Sequence, residues 1–544
     1  MPALVLGPLL RCVDATSAAI WVETDAPCEV RVGDATSATF TVHGHHYALV
    51  DVEGLTPGTS TPYTVELDGE RVWPPADHAF PPSRIRTPGP DAPLRLVFGS
   101  CRVSAPHDTA ANLTRGVDVL RAYALRMCTA AEADWPSVLL LAGDQVYADE
   151  PPEEMLAFMR ARRDITEPPG AEAADFEEYT RLYRLAFGEP ATRWMLSTVP
   201  TFMIFDDHDV RDDWNTSRAW RDEITAQPWW RARITGGLAA YWVYQHLGNL
   251  PHAERRADET LAAVRAATGD GGDGGDALDA FAWRADQEPA GNRWSYRRDF
   301  GGTRLIVVDS RCGRMLTPGA RRMIGDEEFA WLDEQCRGDL DHLLIATSLP
   351  YLMPTGLYDL ESWNEAISDG AWGRHAARFG EWLRRSFDLE HWAAFRVSCE
   401  MLATTVIDVA RGGRGRPPAG IVFLSGDVHH SYLTKVTRPR LATPIYQAVC
   451  SPIRNPLGGL LRLANIACTF GVAQLAGRVL ARAAGIRRAR MRWRLHRRPW
   501  FANSLATLNI SGRRCTIHWE TATMNVEEPA LTTVATVPLA PPTP

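Results

Sequence analysis

The chain has 544 residues, which is too long for one ordinary hydrophobic core and predicts two domains, one of them large. Its apolar content of 45% and charged content of 23% are typical of a globular protein, and its net charge of −8 provides no general attraction to nucleic acid or anionic membranes. No secretory signal and no bilayer-spanning stretch is visible, which favours a cytoplasmic protein and leaves export by another route open. The ten cysteines show no C-x-x-C spacing, which favours reduced thiols.

Residues 1–88 alternate apolar and polar side chains between Pro, Gly and Asp turn signals. This spacing predicts a β-sandwich. The stretch "GLTPGTSTPYTVELDG" resembles a loop and strand of fibronectin type III modules, so we expect a fibronectin III-like sandwich. "RIRTPGPDAP" follows and is typical of an extended linker.

Residues 92–525 are predicted to form an α/β domain in which helices pack on sheets. Six short apolar runs that end in polar residues alternate there with helical stretches: "LRLVFGSC", "SVLLLAGD", "TFMIFDDHD", "TRLIVVDSR", "HLLIATSLP" and "GIVFLSGDVHH". Ligands in such folds gather beyond the carboxyl ends of strands. We therefore expect the functional site at those ends.

Four of the runs end in candidate metal ligands or catalytic groups. These are Cys101, Asp144, Tyr147, Asp207, His208, Asn215, Asp427 and His429. Each has a structural explanation when taken alone, such as packing, a turn or a helix cap. Together, several carboxylates would resist ionisation unless a cation compensates their charge. Oxygen ligands suit a hard ion, whereas thiolate, phenolate and imidazole suit a transition metal, so the set predicts two unlike metals with Asp144 as the bridge.

The ordered motifs resemble the calcineurin-like metallophosphoesterases, whose usual pattern is D-x-H, G-D, G-N-H-[DE], a lone His and G-H-x-H. Here D-x-H becomes Ser100-Cys101-Arg102, G-N-H-[DE] becomes residues 206–209 (DDHD) and G-H-x-H becomes residues 426–429 (GDVH), while the lone His is replaced around Ser348. These departures match the PhoD-type alkaline phosphatases. Residues 143–149 (GDQVYAD) also resemble the G-D-x-x-Y-A-D signature of purple acid phosphatases. The resemblance implies a fibronectin III-like sandwich followed by a metallophosphoesterase αββα sandwich.

The resemblance also implies a ligand set. One metal, expected to be Fe3+, would be held by Cys101, Asp144, Tyr147 and His429. The second, expected to be Ca2+, would share Asp144 and add Asp207 and Asp427; a Zn2+ or Mn2+ pair is the alternative. The implied activity is hydrolysis of phosphomonoesters, phosphodiesters or both by a metal-activated water.

Three further residues are predicted to act on the substrate. The family places at His208 a histidine that contacts substrate or donates a proton, and its structural alternative is a hydrogen bond to Asp207 or Asp209. Arg102 and Arg311 could each bind phosphate as a two-pronged fork, or each could pair with a structural acid.

The expected partner is a small-molecule or polymer phosphate ester, and nothing in the sequence indicates nucleic-acid binding. A protein that kept this fold as a regulatory or binding module without turnover is the competing hypothesis. The replacement of typical ligands by thiolate and carboxylate, which are themselves good ligands, favours the enzyme.

Three segments are predicted to lie outside the main architecture of the two domains as accessory elements. Residues 268–280 ("TGDGGDGGDALDA") are predicted to be a flexible loop. Residues 478–498 carry nine arginines and no acid, and we expect them to be solvated or paired with surface acids; a local patch for anionic substrate or lipid headgroups is the alternative. Residues 526–544 are predicted to be an extended tail. Most of the tryptophans are expected to pack in the core.

Overall fold

The computed structural model describes residues 1–438, 441–458, 462, 472–526 and 528–540. The first part of the chain forms three small antiparallel sheets with strand orders β1-β2-β6-β5, β4-β3-β8-β9 and β10-β7. The ten strands are β1 (Leu4–Val13), β2 (Ser17–Thr24), β3 (Glu29–Val32), β4 (Ala35–Ala38), β5 (Phe40–Val42), β6 (His45–Glu53), β7 (Ser60–Pro62), β8 (Val65–Leu67), β9 (Glu70–Trp73) and β10 (Arg84–Arg86). Alternating apolar side chains such as Ile20, Val30 and Val65 form one core between the two four-stranded sheets. The predicted sandwich is therefore confirmed, and its likeness to fibronectin type III stays a prediction.

The second part contains two larger sheets, with orders β13-β12-β11-β21-β22-β23 and β14-β15-β16-β17-β19-β18-β20. Their strands are β11 (Leu94–Gly99), β12 (Val138–Ala142), β13 (Thr201–Ile204), β14 (Tyr296–Phe300), β15 (Thr303–Val308), β16 (His342–Thr347), β17 (Gly420–Ser425), β18 (Ser431–Arg438), β19 (Ile445–Val449), β20 (Arg492–Trp500), β21 (Leu505–Ser511), β22 (Arg514–Ala522) and β23 (Leu531–Ala540). All six predicted runs are strands, and they pair in parallel within their sheets. Their continuous apolar sequences fit strands that are buried on both faces.

Helices cover the outer faces of both sheets. They are α1 (Thr109–Arg115), α2 (Val119–Thr129), α3 (Glu153–Arg162), α4 (Phe176–Phe187), α5 (Pro190–Thr198), α6 (Arg218–Thr225), α7 (Trp230–Tyr241), α8 (Leu247–Asn249), α9 (His252–Arg256), α10 (Glu259–Thr268), α11 (Gly275–Gln287), α12 (Asp326–Gln335), α13 (Thr355–Ser368), α14 (Arg374–Ser386), α15 (Arg396–Arg411) and α16 (Val472–Ala483). Short 3-10 turns lie at Glu132–Asp134, Gly269–Gly271, Pro289–Gly291 and Trp392–Ala394, and a π-helix at Trp242–His246 continues α7. One apolar core fills the space between the two sheets and a second lies between the seven-stranded sheet and helices α12 and α15. The predicted αββα architecture is confirmed.

The sandwich is docked on the larger domain through buried contacts. The guanidinium of Arg11 in β1 is fully buried and donates to the backbone oxygen of Gln245 (2.6 Å) and to Oδ1 of Asn249 (3.1 Å). The ring of Trp21 lies 5.1 Å from that of Tyr244. The chain from the π-helix into α8 therefore holds the sandwich in place.

Two accessory predictions need correction. The stretch 268–280 is not a loop throughout, because α11 begins at Gly275 and its apolar residues, such as Leu278, reach the core. In the predicted tail, Leu531–Ala540 forms β23, which pairs with β22 and so belongs to the six-stranded sheet; residues 527 and 541–544 of the tail lie outside the described residues. The nine cysteines in the described part of the chain are all free. Within the described residues, every helix is too short or too polar to cross a bilayer.

Candidate metal centre

The carboxyl ends of four strands meet where the two large sheets face each other. Cys101 lies two residues after β11, Asp144 two after β12, Asp207 three after β13, and Asp427 two after β17. Parallel strands end at the same edge of a sheet, so side chains far apart in sequence come together there.

The predicted ligands form two groups that share one residue. Ligand atoms of Cys101, Asp144 and His429 lie within 4.8 Å of one another, and so do carboxylate oxygens of Asp144, Asp206, Asp207 and Asp427. Asp144 is the common member. Asp206 was not among the sequence-predicted ligands, because its position matches a glycine in the family motif.

Four of these residues have backbone conformations that are uncommon for residues with a side chain. The φ angles are +56° at Cys101, +55° at Asp144, +63° at Asp427 and +50° at His429. Such conformations cost free energy and persist where the surrounding structure enforces them, typically at functional sites. The loops are therefore shaped to aim these side chains at one point.

The loops after β11 and β12 are fixed to each other by backbone hydrogen bonds. The N–H of Cys101 donates to the oxygen of Gly143 (3.2 Å), and the N–H of Arg102 donates to the oxygen of Asp144 (3.0 Å). Gly143 has φ +104°, and a Cβ there would lie 2.7 Å from Cβ of Asp206. Only glycine lets the loop after β12 approach the loop after β13, which carries Asp206, this closely.

The first group combines three kinds of donor. Burial and the charges of Asp144 and Asp427 raise the pKa of Cys101 well above its usual value, and burial and Cys101 do the same to the pKa of Tyr147. Burial, aided by His208, lowers the pKa of His429 to about 4, which keeps the imidazole neutral and able to bind a metal. A bound cation would lower the pKa values of the Cys101 thiol and the Tyr147 phenol again, because it stabilises their anions.

The second group concentrates negative charge. Burial, with the charge of Asp206 next, raises the pKa of Asp144 well above its usual value. Burial also raises the pKa of Asp206 well above its usual value, although Arg311 opposes it. Burial raises the pKa of Asp207 as well, against the charge of Arg311. Carboxyl groups this close can ionise together only with a compensating cation.

Several ligand-type oxygens are buried without a hydrogen bond to any described residue. They are Oδ1 of Asp144, Oδ2 of Asp206 and Oδ1 of Asp207, the last of which lies in an ion pair with Arg311 (3.1 Å). Buried polar atoms are normally paired, because an unpaired one costs about 1–3 kcal/mol. Three such carboxylate oxygens at the meeting point of the strands fit a site that metal ions complete.

His208 is partly buried beside this centre and belongs to an ion pair. Its Nδ1 lies 2.9 Å from Oδ1 of Asp149, so the structural partner is Asp149 rather than Asp207 or Asp209. Burial lowers the pKa of His208, but the charge of Asp149 outweighs it and the net shift is well upward. Its ring stacks on Tyr147 with 4.6 Å between ring centroids. His208 is thus held as a cation with Nε2 left available.

Arg311 lies inside the second group. Its guanidinium is fully buried and contacts carboxylates of Asp206, Glu390 and Asp207, the last at 3.1 Å, while Asp427 lies 3.6 Å away. Asp309, two residues earlier in the chain, accepts the backbone N–H of Arg311 (2.7 Å). The side chain of Arg311 therefore offsets part of the negative charge at the centre.

The contacts of Arg102, the other predicted phosphate ligand, favour its structural alternative. Its guanidinium is buried and points away from the ligands, donating to Oδ2 of Asp118 through Nε (3.0 Å) and Nη2 (2.8 Å). The backbone oxygen of Ala186 (2.5 Å) and the hydroxyl of Thr192 (3.3 Å) take its remaining donors. The structural alternative, an ion pair, accounts for Arg102 completely.

Sequence reasoning missed the segment 388–391, which follows α14 rather than a strand. Nε2 of His391 lies 3.1 Å from Oδ2 of Asp427, and its Nδ1 lies 2.7 Å from Glu361 of α13. Glu390 binds both Arg311 and Arg314. The dense polar sequence "DLEH" at these positions was the available signal.

Other candidates from the sequence have supporting roles. The hydroxyl of Ser348 lies 2.8 Å from that of Ser310, and its backbone oxygen accepts the N–H of Gly426. Asn215 donates from its side chain to the backbone oxygen of Arg311 (3.2 Å). Both residues link neighbouring loops.

Comparisons with known proteins agree with this geometry. The family model described as "PhoD-like phosphatase" matches residues 121–459, and a domain family of unknown function (DUF7800) matches residues 1–85. The solved structure of PhoD aligns over 98% of this chain and 89% of its own, with 12% identity and a TM-score of 0.61. The purple acid phosphatase PPD1 from seeds of yellow lupin (Lupinus luteus) aligns over 98% of this chain and 74% of its own, with 9% identity and a TM-score of 0.50. A search of curated proteins found no significant match.

Proposed function

Because this chain belongs to the PhoD-like phosphatase family, we propose that it hydrolyses phosphoric esters with two unlike metal ions that share Asp144. Family membership makes the chain a metal-dependent phosphatase. The dinuclear mechanism and the class of ester, whether a small-molecule or polymer monoester or diester, are the further steps of the proposal.

The donor chemistry supports one assignment of the metals. Cys101, Tyr147 and His429, with Asp144, suit Fe3+, because thiolate and phenolate are strong anionic donors. Asp207 and Asp427, with Asp144, offer only carboxylate oxygens and suit Ca2+. Asp206 lies within reach of the second ion and would add a fourth carboxylate to it.

When bound, the two ions activate a water molecule and neutralise charge on the phosphoryl oxygens. The protein's own groups then hold and move protons. His208 is kept protonated by Asp149, so its Nε2 can donate a proton to the leaving oxygen of the ester. Asp427 is held ionised because a hydrogen bond from His391 and the charge of Arg311 overcome its burial and lower its pKa.

The observation that carries the proposal is the membership of Asp144 in both ligand groups. The test is turnover of p-nitrophenyl phosphate and bis-p-nitrophenyl phosphate by protein as purified, after chelation, and after reloading with Fe3+ and Ca2+. We expect activity that disappears on chelation and returns only with both ions. Protein that is fully loaded yet turns over neither ester would favour the binding or regulatory alternative.

A further inference from the structure

The outer surface of helices α13, α14 and α16 exposes an unusual mixture of large apolar and basic side chains. The exposed apolar side chains of this surface, with their exposed fractions, are Trp372 (43%), Phe379 (50%), Trp382 (58%), Leu475 (64%) and Val479 (55%). The exposed arginines of the same surface are Arg374, Arg378, Arg478, Arg482, Arg487 and Arg488. We call this set of residues the basic-aromatic face. Exposed patches of this kind usually mark a binding surface.

The helices that carry this face are held together beneath it. Trp363 and Ile367 of α13 pack with Leu383 of α14 and with Leu480 and Ala481 of α16.

Trp372 joins the two outer helices at the surface. Its Nε1 donates to the backbone oxygen of Ala483 at the end of α16 (3.3 Å), and its ring lies 5.8 Å from that of Trp363. The exposed side chains of α14 and α16 therefore belong to one continuous surface.

The arginines of this face are poorly neutralised. Arg478 lies 3.8 Å from Asp359, a long and half-exposed pair. Among the described residues, the other five arginines of the face form no ion pair. Residues 478–498 were expected to be solvated or paired with surface acids; Arg478 and Arg490 are paired, the latter at 3.3 Å from Glu400.

A cavity of about 280 Å³ opens between α13, the end of α16 and the start of β20. Five arginines line it, against one acid: Arg478, Arg482, Arg487, Arg488 and Arg492. Tyr358 and Trp493 form its apolar wall. This cavity suits an anionic lipid headgroup. Each guanidinium can donate two hydrogen bonds to a phosphate group, and the aromatic wall excludes part of the water.

We propose that the basic-aromatic face docks on an anionic lipid bilayer. Aromatic and aliphatic side chains beside arginines are the composition of surfaces that lie in the lipid headgroup region, where the apolar groups insert and the arginines meet lipid phosphates. Trp372 and Trp382 suit that region because the indole ring is apolar and its N–H is polar.

A second copy of the chain is a poor occupant of this face. A symmetric dimer places the same patch on both subunits, so the arginines would face each other without acids to pair with. Charge complementarity therefore favours the bilayer.

Docking there places the metal centre near the membrane. The chain leaves α14 at Ser386, passes the exposed Phe387 and reaches Glu390 and His391 at the centre within five residues. A site that hydrolyses phosphoric esters would then have its substrates at or near the bilayer; this consequence rests on the proposed function, whereas the docking itself does not.

The test is co-sedimentation of the full chain with vesicles of phosphatidylcholine alone or mixed with phosphatidylglycerol. One variant changes Arg478, Arg482, Arg487 and Arg488 to Gln, and another carries Phe379→Ser and Trp382→Ser. Matched controls change four exposed arginines elsewhere (Arg31, Arg160, Arg218 and Arg337) to Gln, and the highly exposed Leu113 to Ser.

We expect binding to the mixed vesicles that weakens with salt. Each lost arginine should weaken binding about fivefold, so the quadruple variant should lose at least a hundredfold. The aromatic variant should also detach, and the controls should bind normally. Absence of binding, equal binding to neutral vesicles, equal loss in the controls, or self-association abolished by the aromatic variant would each overturn the proposal.

Turnover of bis-p-nitrophenyl phosphate is measured in parallel and should be unchanged in all variants. Vesicle binding without turnover would contradict the proposed function alone, and turnover without vesicle binding would contradict the docking alone.

Discussion

The carboxylate of Asp209 accepts a hydrogen bond from the backbone N–H of Asp144 at 2.8 Å. It also accepts the N–H groups of Asp206 (2.8 Å), Gln145 and Val146 (both 3.2 Å). One buried side chain thus holds the loop after β12 against the loop after β13. Asp209 positions ligands of both groups although its own oxygens are occupied by backbone donors.

Asp209→Asn should therefore weaken binding of both metals. The two carboxylate oxygens of Asp209 now accept four backbone N–H groups. The side chain of Asn has only one such oxygen, and its NH2 group, itself a donor, would replace the other oxygen next to N–H groups. Loss of a group that orients ligands typically costs 10–100-fold in metal affinity. Isothermal titration of metal-free protein with each metal measures this affinity. The variant Asp222→Asn, which changes an exposed carboxylate, is the control. Unchanged affinity for both metals would remove Asp209 from this role.

Tyr147→Phe should shift or abolish the visible absorption band of the iron-loaded protein. A ferric ion bound by phenolate absorbs visible light, and Tyr147 is buried beside Cys101. Since burial and Cys101 raise the pKa of Tyr147, the wild-type band should appear only when Fe3+ is added. A wild-type band that persists unchanged in the variant would show that Tyr147 is not a ligand.

His208→Ala should lower turnover about 10²–10⁴-fold and leave the metal content close to that of the wild type. The ring is held by Asp149 rather than by a ligand carboxylate, so its loss removes a proton donor and spares the donor set. The loss should be smaller for esters with an acidic leaving group, which need no proton. A variant that is purified without metal would identify His208 as a ligand instead.

Asp118→Asn tests the ion pair that replaces the predicted phosphate role of Arg102. Burial opposes ionisation of Asp118, but Arg102 outweighs it and lowers the pKa from 3.8 to about 2. A carboxyl whose pKa is depressed on folding stabilises the protein above its unfolded pKa, and that contribution is lost as pH falls from about 4 to about 2. Asn keeps the cap of α2, so the variant isolates the charge.

Urea unfolding near neutral pH should show Asp118→Asn about 2 kcal/mol less stable than wild type, and the difference should shrink as pH approaches 2. Asp222→Asn, on the exposed face of α6, should show neither effect. A difference that is constant between neutral pH and pH of about 2 would mean that the Asp118 charge contributes nothing to stability.

Much of the fold could be predicted because its signals are local. Each of the six apolar runs in residues 92–525 is a strand, since buried parallel strands require continuous apolar sequence. The tail after residue 526 was harder, because the pairing of β23 with β22 depends on a partner strand and not on its own composition.

The residues of the candidate site likewise fall into those that local sequence signals predict and those that only the three-dimensional fold brings together. Residues at strand ends, such as Asp144 and Asp427, could be found because strand ends converge. His391 and Glu390 follow a helix, so only the three-dimensional path of the chain brings them to the centre. Arg102 adjoins a ligand in sequence, yet its side chain points away from the centre toward Asp118. The surface position of Trp372 was not evident from the sequence either: Trp230 of α7 and Trp242 of the π-helix lie in the core as expected, whereas Trp372 is exposed.

The most direct test is elemental analysis of the purified wild-type protein beside Asp144→Ala. Because Asp144 is the one residue common to both ligand groups, the account predicts one iron and one calcium per wild-type chain and loss of both ions in the variant. A folded Asp144→Ala protein that keeps both ions would contradict it.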